Sequence, residues 1–307
     1  MTKITEKAQK VLTQKPGIPE IREVTKNSAP LIHCITNPIS IHDCANMILA
    51  VGARPIMAEH PEEVEEITEV SSALMLNLGN ITDARIISMQ RALSTANRKN
   101  IPVLLDLVGV TCSQLRRSFA KQLLSQGVFS VIKGNISEIL AAAELPYHGT
   151  GIDAGSQDAV SVENQAWYCE TARHLAKHLN CTVMATGKKD LIADAENAFL
   201  VSNGHAALSG VTGTGCMVGA LTAAYLPGSK AIFTKSGIFE TSSIIPDKTK
   251  VSYGTAAALL AAVAMGISGE LAAEISKGPG SFQTALLDEV YAMTDETLLE
   301  KARLQEF

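Results

Sequence analysis

The sequence predicts an α/β fold in three layers, a mainly parallel central sheet with helices on both faces. Two observations lead there. Short apolar runs of strand length alternate with longer stretches of helical spacing through most of the 307 residues. Hydrophobic residues make up 46% of the chain against 19% charged, enough for a large core. The β-α-β-α order then calls for parallel strands, because each crossover helix returns the chain to the same end of the sheet. No repeat, low-complexity tract or Pro/Ser-rich linker divides the chain, so residues 1–307 read as one domain.

The elements follow in order. Residues 1–26 are charged and amphipathic and lack the apolar core of a signal peptide; they read as a helical extension reaching residue 29. The run LIHCI over 31–35 is the first strand, and a helix is expected over 41–50. Further strands are expected over 54–57, 73–78, 103–107 and 131–133, separated by helices over 61–70, 83–98 and 114–125. Helices over 137–143 and 164–178 precede three short apolar runs, 183–186, 191–193 and 198–202, read as strands. The last expected elements are helices over 216–225 and 253–265. The uncharged run 255–267 is shorter than a bilayer span and reads as a buried helix, so no membrane segment is expected.

Composition narrows function. A net charge of −5 with no basic block, and 4% aromatic residues, argue against a nucleic-acid surface. Six cysteines, at positions 34, 44, 112, 169, 181 and 216, are scattered without a C-x-x-C pair, which is neither a disulfide framework nor a zinc site. A reducing cytoplasm is the expected location.

The most informative stretch is Val211-Thr212-Gly213-Thr214-Gly215-Cys216, between a strand and an apolar helix. The first amides of a helix have no internal partner and suit an anion, and the glycines allow close approach. Cys216 falls in the first turn, where the helix dipole favours a thiolate. The loop reads as an anion cradle over Gly213, Thr214, Gly215 and Cys216, although a tight turn is the commoner meaning of such a loop taken alone. It is not a dinucleotide fingerprint, since Gly219 comes one residue late, and no Gly-Lys-Ser/Thr triplet occurs in the chain.

Ligands of open α/β sheets collect beyond the carboxyl ends of the strands. Asp106, Lys133, Glu138 and Thr186 follow strands there. Singly, Asp106 reads equally as a cap, Asn135 with Glu138 as a capping box, Lys133 as a solvated strand end and Thr186-Gly187 as a turn. Jointly, two carboxylates, a lysine and an anion loop suit a Mg²⁺–nucleotide site.

Ordered motifs from about residue 30 to the C-terminus resemble the hydroxyethylthiazole kinases of thiamine salvage, which have the ribokinase-like fold. They include His33-Cys34-Ile35-Thr36-Asn37, Gly52 to Ala58, Leu76-Asn77-Leu78-Gly79, Asp106-Leu107-Val108-Gly109, Lys133 to Glu138, Ala185-Thr186-Gly187, Val211 to Cys216, and Lys277 to Phe282. The resemblance implies transfer of the γ-phosphoryl of ATP to the hydroxyl of 4-methyl-5-(2-hydroxyethyl)thiazole, by a homotrimer with sites at subunit interfaces. It implies that Met57 and Gly213 bind the thiazole, that Lys133 and Thr186 contact ATP, that Asp106 and Glu138 handle Mg²⁺, and that Cys216 faces the hydroxyl as the catalytic residue. The chain departs from the family's pattern at Lys133, usually arginine, at Leu107, usually proline, and over residues 38–42. The proline's loss is expected to loosen the turn holding Asp106. Rival readings are another small-alcohol kinase, for example for hydroxymethylpyrimidine, and a weakly catalytic vitamin-binding protein.

Overall fold

The computed structural model describes residues 17–149, 155–235 and 251–307. Of the helical extension expected over residues 1–29, residues 1–16 lie outside the described residues. The rest contains helix α1 (Ile18–Ser28), which buries Ile18, Ile21 and Thr25.

Strands β1 (Leu31–Ile35), β2 (Arg54–Ile56), β3 (Ala73–Asn77), β4 (Val103–Asp106), β5 (Val131–Asn135) and β6 (Thr182–Thr186) are parallel to their neighbours. β7 (Asp190–Ala193), β8 (Ala198–Val201) and β9 (Leu304–Glu306) extend the sheet by antiparallel pairing. The sheet order is β2-β1-β3-β4-β5-β6-β7-β8-β9.

The strands are buried on both faces, and the period of two divides their side chains between two cores. Cys34, Met75, Leu104, Val131, Met184, Ile192 and Phe199 face one core. It is closed by α1, α2 (Ile41–Ala50), α8 (Thr214–Lys235), α9 (Tyr253–Ile275) and α10 (Pro279–Ala292). Their alternating neighbours Ile35, Leu74, Leu76, Leu105, Ile132, Val183 and Leu200 face the other. That core is closed by α3 (Val64–Glu69), α4 (Asp83–Arg98), α5 (Gln114–Gln126), α6 (Ile136–Ala142) and α7 (Gln165–Leu179). The three layers are thus those the sequence predicts.

Parity and register do more than divide the core. Asn77 is two residues after Met75, Asp106 two after Leu104 and Lys133 two after Val131, so all three face α8. The ladder aligns them as well, Asn77 opposite Asp106 and Asp106 opposite Lys133. Three adjacent strands therefore present one polar row beneath one helix.

The structure departs from the expected elements mainly toward the C-terminus. α8 runs on through Pro227 and Gly228, a pair that reads as a breaker in sequence. A Cβ at Gly228 would stand 2.7 Å from Thr25 Oγ1 and 3.1 Å from the Ile21 carbonyl oxygen, so this glycine lets α1 and α8 touch. α9 runs ten residues past its expected end, through Gly266 and Gly269, which likewise admit Asn203 and Leu208. Helices α8 and α9 are long and apolar enough to cross a membrane by length and composition, contrary to the expectation for the 255–267 run. In each, 83% of the most apolar window is buried inside the protein. α10, α11 (Asp295–Lys301) and the edge strand β9 were not anticipated.

Gly228→Val is expected to lower stability by about 1–3 kcal/mol, the usual cost of overpacking. A urea melt with an unchanged midpoint would show that the two helices re-space freely.

Candidate active site

The site lies where the polar row meets the N-terminus of α8. Lys133 Nζ donates to both oxygens of Asp106, at 3.0 and 3.1 Å, with the lysine side chain 3% exposed and the aspartate fully buried. Asn77 Nδ2 lies 3.2 Å from Asp106 Oδ2 and 3.3 Å from Cys216 Sγ. Cys216 is in the first turn of α8, and the Met217 N–H donates to the Gly213 carbonyl, 2.9 Å, closing the first helical bond. The helix therefore leaves the amides of Gly213 to Cys216 without an internal partner. Gly213 has φ +85°, a conformation that favours glycine, and its absent Cβ would lie 3.0 Å from Ser40 Cβ. A Cβ at Gly215 would sit 3.6 Å from Lys133 Nζ, which puts the ammonium directly beside the glycine loop.

Glu138 serves two loops at once. Its Oε2 accepts the Asn135 N–H at 2.7 Å while Asn135 Oδ1 accepts the Glu138 N–H at 2.9 Å, the capping box expected at the start of α6. Its Oε1 accepts the Gly109 N–H at 2.7 Å and so ties down the loop after Asp106. Asp106 itself caps nothing, since α5 is capped by Ser113.

Electrostatics overturn two expectations. Lys133 is no solvated strand end. Burial works against its charge, but Asp106, with Cys216 and Glu138 beyond it, holds the ammonium above its usual range. Burial also raises the Asp106 carboxyl, with Lys133 opposing. Cys216 is no helix-stabilised thiolate. Burial and then the Asp106 charge push its thiol up, against Lys133, Ser40 and Asn77, because a half-charge at a helix end does not offset desolvation beside a carboxylate. The resting site holds a protonated thiol. Glu138 is pushed up to about 7, chiefly by burial.

Leu107, where the resemblance expects proline, is held by its own backbone. The Leu107 N–H donates to the Lys133 carbonyl at 2.7 Å, and the Leu78 N–H to the Asp106 carbonyl at 3.0 Å. A proline at 107 has no N–H to give, so the departure adds a tie between the ends of β4 and β5.

The structure thus brings together Asp106, Lys133, Cys216, Gly215 and, through the Gly109 loop, Glu138. Thr186 lies at the end of β6 and donates from Oγ1 to the Gly134 carbonyl at 3.2 Å. Gly187 beside it makes the expected turn, its N–H donating to Asp190 Oδ1 at 2.9 Å. Met57 follows β2 at the far edge, half-buried against the α8-side core. The described hydrogen bonds link neither residue to the centre. The departing stretch 38–42 reaches the site through buried Ser40, whereas His42 faces solvent beside Asn46. Sequence reasoning gave no role to Asn77 or Ser40, although Asn77 sits in a quoted motif at a strand end.

A helix N-terminus with free amides over a polar row at the carboxyl ends of parallel strands is where α/β sheets hold their ligands, and the layers are those of the ribokinase-like fold. A ribokinase-like superfamily protein from Enterococcus faecalis, 12% identical, superposes with a TM-score of 0.52 over 92% of this chain and 93% of its own, a likeness of fold alone. The model of the hydroxyethylthiazole kinase family matches residues 21–296, and the chain belongs to that family. A hydroxyethylthiazole kinase 2 of Clostridium botulinum is 42% identical over 94% of this chain and 100% of its own. The hydroxyethylthiazole kinase structure from Pyrococcus horikoshii is 30% identical, with a TM-score of 0.77 over 94% of this chain and 98% of its own.

The Glu138 carboxyl gives a signed pH prediction. Its value in the folded protein, about 7, lies above its unfolded value near 4.5, so the fold binds an extra proton between them. The group's contribution is complete below the unfolded value and is lost as pH rises through about 7. Wild-type stability should fall by about 3 kcal/mol over that window relative to Glu138→Gln. Parallel urea melts of the two proteins at pH 5 and pH 8 that keep a constant gap would refute it.

Proposed function

We infer that the chain is an ATP-dependent kinase that phosphorylates the hydroxyl of 4-methyl-5-(2-hydroxyethyl)thiazole in thiamine salvage. Membership of the family supports the activity. The observation that carries the residue roles is the position of the Lys133 ammonium, between Asp106 and the glycine loop.

The amides of Gly213, Thr214, Gly215 and Cys216 hold the transferring phosphoryl group, and Lys133 neutralises charge on it. Thr186, beyond Gly134, contacts ATP on that side. Gly213 and Met57 line the thiazole on the other, and Cys216 meets the hydroxyl. Phosphoryl transfer passes through a loose transition state that asks little early deprotonation of the acceptor. A protonated Cys216 therefore suits the reaction by orienting the hydroxyl, with Asp106 beside it to receive the proton.

Mg²⁺ fits this donor set. Both Glu138 oxygens already take backbone N–H groups, yet the carboxyl, raised to about 7, lacks a full countercharge and gains from a cation. Asp106 and Glu138 would hold a Mg²⁺ that keeps much of its water, as this ion prefers. It would supply neutralisation of the nucleotide phosphates. A homotrimer with sites at subunit interfaces follows from the family resemblance, and Ile39, 61% exposed on the turn that abuts Gly213, is placed for such a contact. A cytoplasmic location gives the enzyme its ATP.

Cys216→Ala should retain measurable thiazole-dependent ADP release, since the thiol only orients the hydroxyl while Asp106 remains to receive its proton and the loop to hold the phosphoryl group. Gly215→Val, which fills the space beside Lys133, should remove nearly all of it. Equal losses would overturn the ranking of loop over thiol. Turnover with hydroxymethylpyrimidine in place of the thiazole would move the substrate to the other half of thiamine. Thiazole binding without any ADP release would leave a binding protein.

A further inference from the structure

We propose that Asn77 is a positioning residue for phosphoryl transfer, its one amide group fixing both the Asp106 carboxylate and the Cys216 thiol. The proposal rests on the reading that these two groups flank the acceptor hydroxyl.

The side chain is fully buried, and its orientation is settled by its neighbours. Asn77 Oδ1 accepts the Gly79 N–H at 2.8 Å. A backbone N–H only donates, so the oxygen end of the amide is assigned and the nitrogen end must face the other way. There Nδ2 meets Asp106 Oδ2 at 3.2 Å and Cys216 Sγ at 3.3 Å. An amide nitrogen only donates, so its two hydrogens go to an oxygen and a sulfur that both act as acceptors.

Two consequences follow. The Cys216 sulfur accepts from Asn77, so its own S–H points away from Asn77, to be given to another oxygen. Asp106 is held by three contacts, two from Lys133 and one from Asn77, and the Asn77 contact is the one that still orients the carboxylate when an incoming phosphate draws the ammonium off. The anchor is rigid because Asn77 lies in register with Asp106 on the neighbouring strand, and the Gly79 turn fixes its far end.

The structural duty of Asn77, accepting from Gly79, is separable from its donation. Asn77→Asp keeps the size and the acceptor and loses the donors. Asn77→Ser shortens the side chain and leaves a single O–H, which cannot serve Asp106 and Cys216 together, without adding a charge. Both variants should lower kcat by about 10–100-fold, the range for partners that orient reacting groups, with the KM for ATP within about 2-fold. The kcat factor of Asn77→Ser should shrink when measured against Cys216→Ala, because one of its two targets is already gone. Wild-type kcat in either folded variant, or an undiminished factor in the Cys216→Ala background, would overturn the proposal. Should Asn77→Asp fail to bind ATP, Asn77→Ser decides alone. A wild-type protein without thiazole-dependent turnover would sink the functional reading instead, leaving these comparisons unneeded.

Discussion

The constraint on which the site depends is the pleat of three parallel strands. Because β3, β4 and β5 pair in register, one parity places Asn77, Asp106 and Lys133 side by side beneath α8. Each polar group alone would be rejected by that core, where an unpaired buried charge costs several kcal/mol. Together they satisfy one another. The Asp106–Lys133 pair is no strong source of stability, since the desolvation of two ions roughly cancels their attraction. Removing one partner is different, because the other is left buried and uncompensated. The pair thus spends folding energy to keep a cation and an anion dry at the carboxyl edge of the sheet. A phosphoryl group and an alcohol bound there, as the proposed function has them, would be kept apart from water.

The charge balance of this centre explains the state of Cys216. The carboxylate and ammonium cancel, Glu138 is half-titrated near neutrality, and a thiolate would be the unbalanced charge. The thiol accordingly keeps its proton despite its place at a helix N-terminus. The amides at the helix end are left without an internal partner, as a bound anion would need. Gly219, one turn further along α8, lets the helix approach so closely. A Cβ there would stand 2.9 Å from Met75 Cε and 3.3 Å from Asp106 Oδ2.

Much of the fold was legible because its cues are local. β1, α2 and α4 run as expected to the residue, and the alternation of strands and helices gives the parallel pairing of β1 to β6, though not the order β2-β1-β3 at the edge. The C-terminal third was less legible. Pro227-Gly228 and Gly266 look like breakers until the neighbouring helix and loop that need their missing side chains are in place. β9 is three residues long and, among the described residues, pairs with β8 alone. At the site, Asp106, Lys133, Glu138 and Cys216 could be found as polar residues at strand and helix ends. Their ionisation could not, because it depends on burial and on neighbours from distant parts of the chain. Asn77 was hidden for the same reason. One end of its amide holds the Gly79 turn and the other meets Asp106 and Cys216, partners that only the paired strands and α8 bring within reach.

The two departures from the family's pattern make sense as a pair. Lysine carries its charge on a flexible stem, whereas arginine presents a rigid fork. A lysine at this position needs a fixed starting point. The Leu107 N–H, bonded to the Lys133 carbonyl, supplies one by locking the end of β5 to the end of β4. Two of the three ammonium hydrogens go to Asp106, and the third is left on the side of the glycine loop, where the Gly215 backbone leaves room. A proline at 107 would give up the strand tie that a lysine needs. Leucine at 107 and lysine at 133 are thus joined by one backbone hydrogen bond beside the buried ion pair.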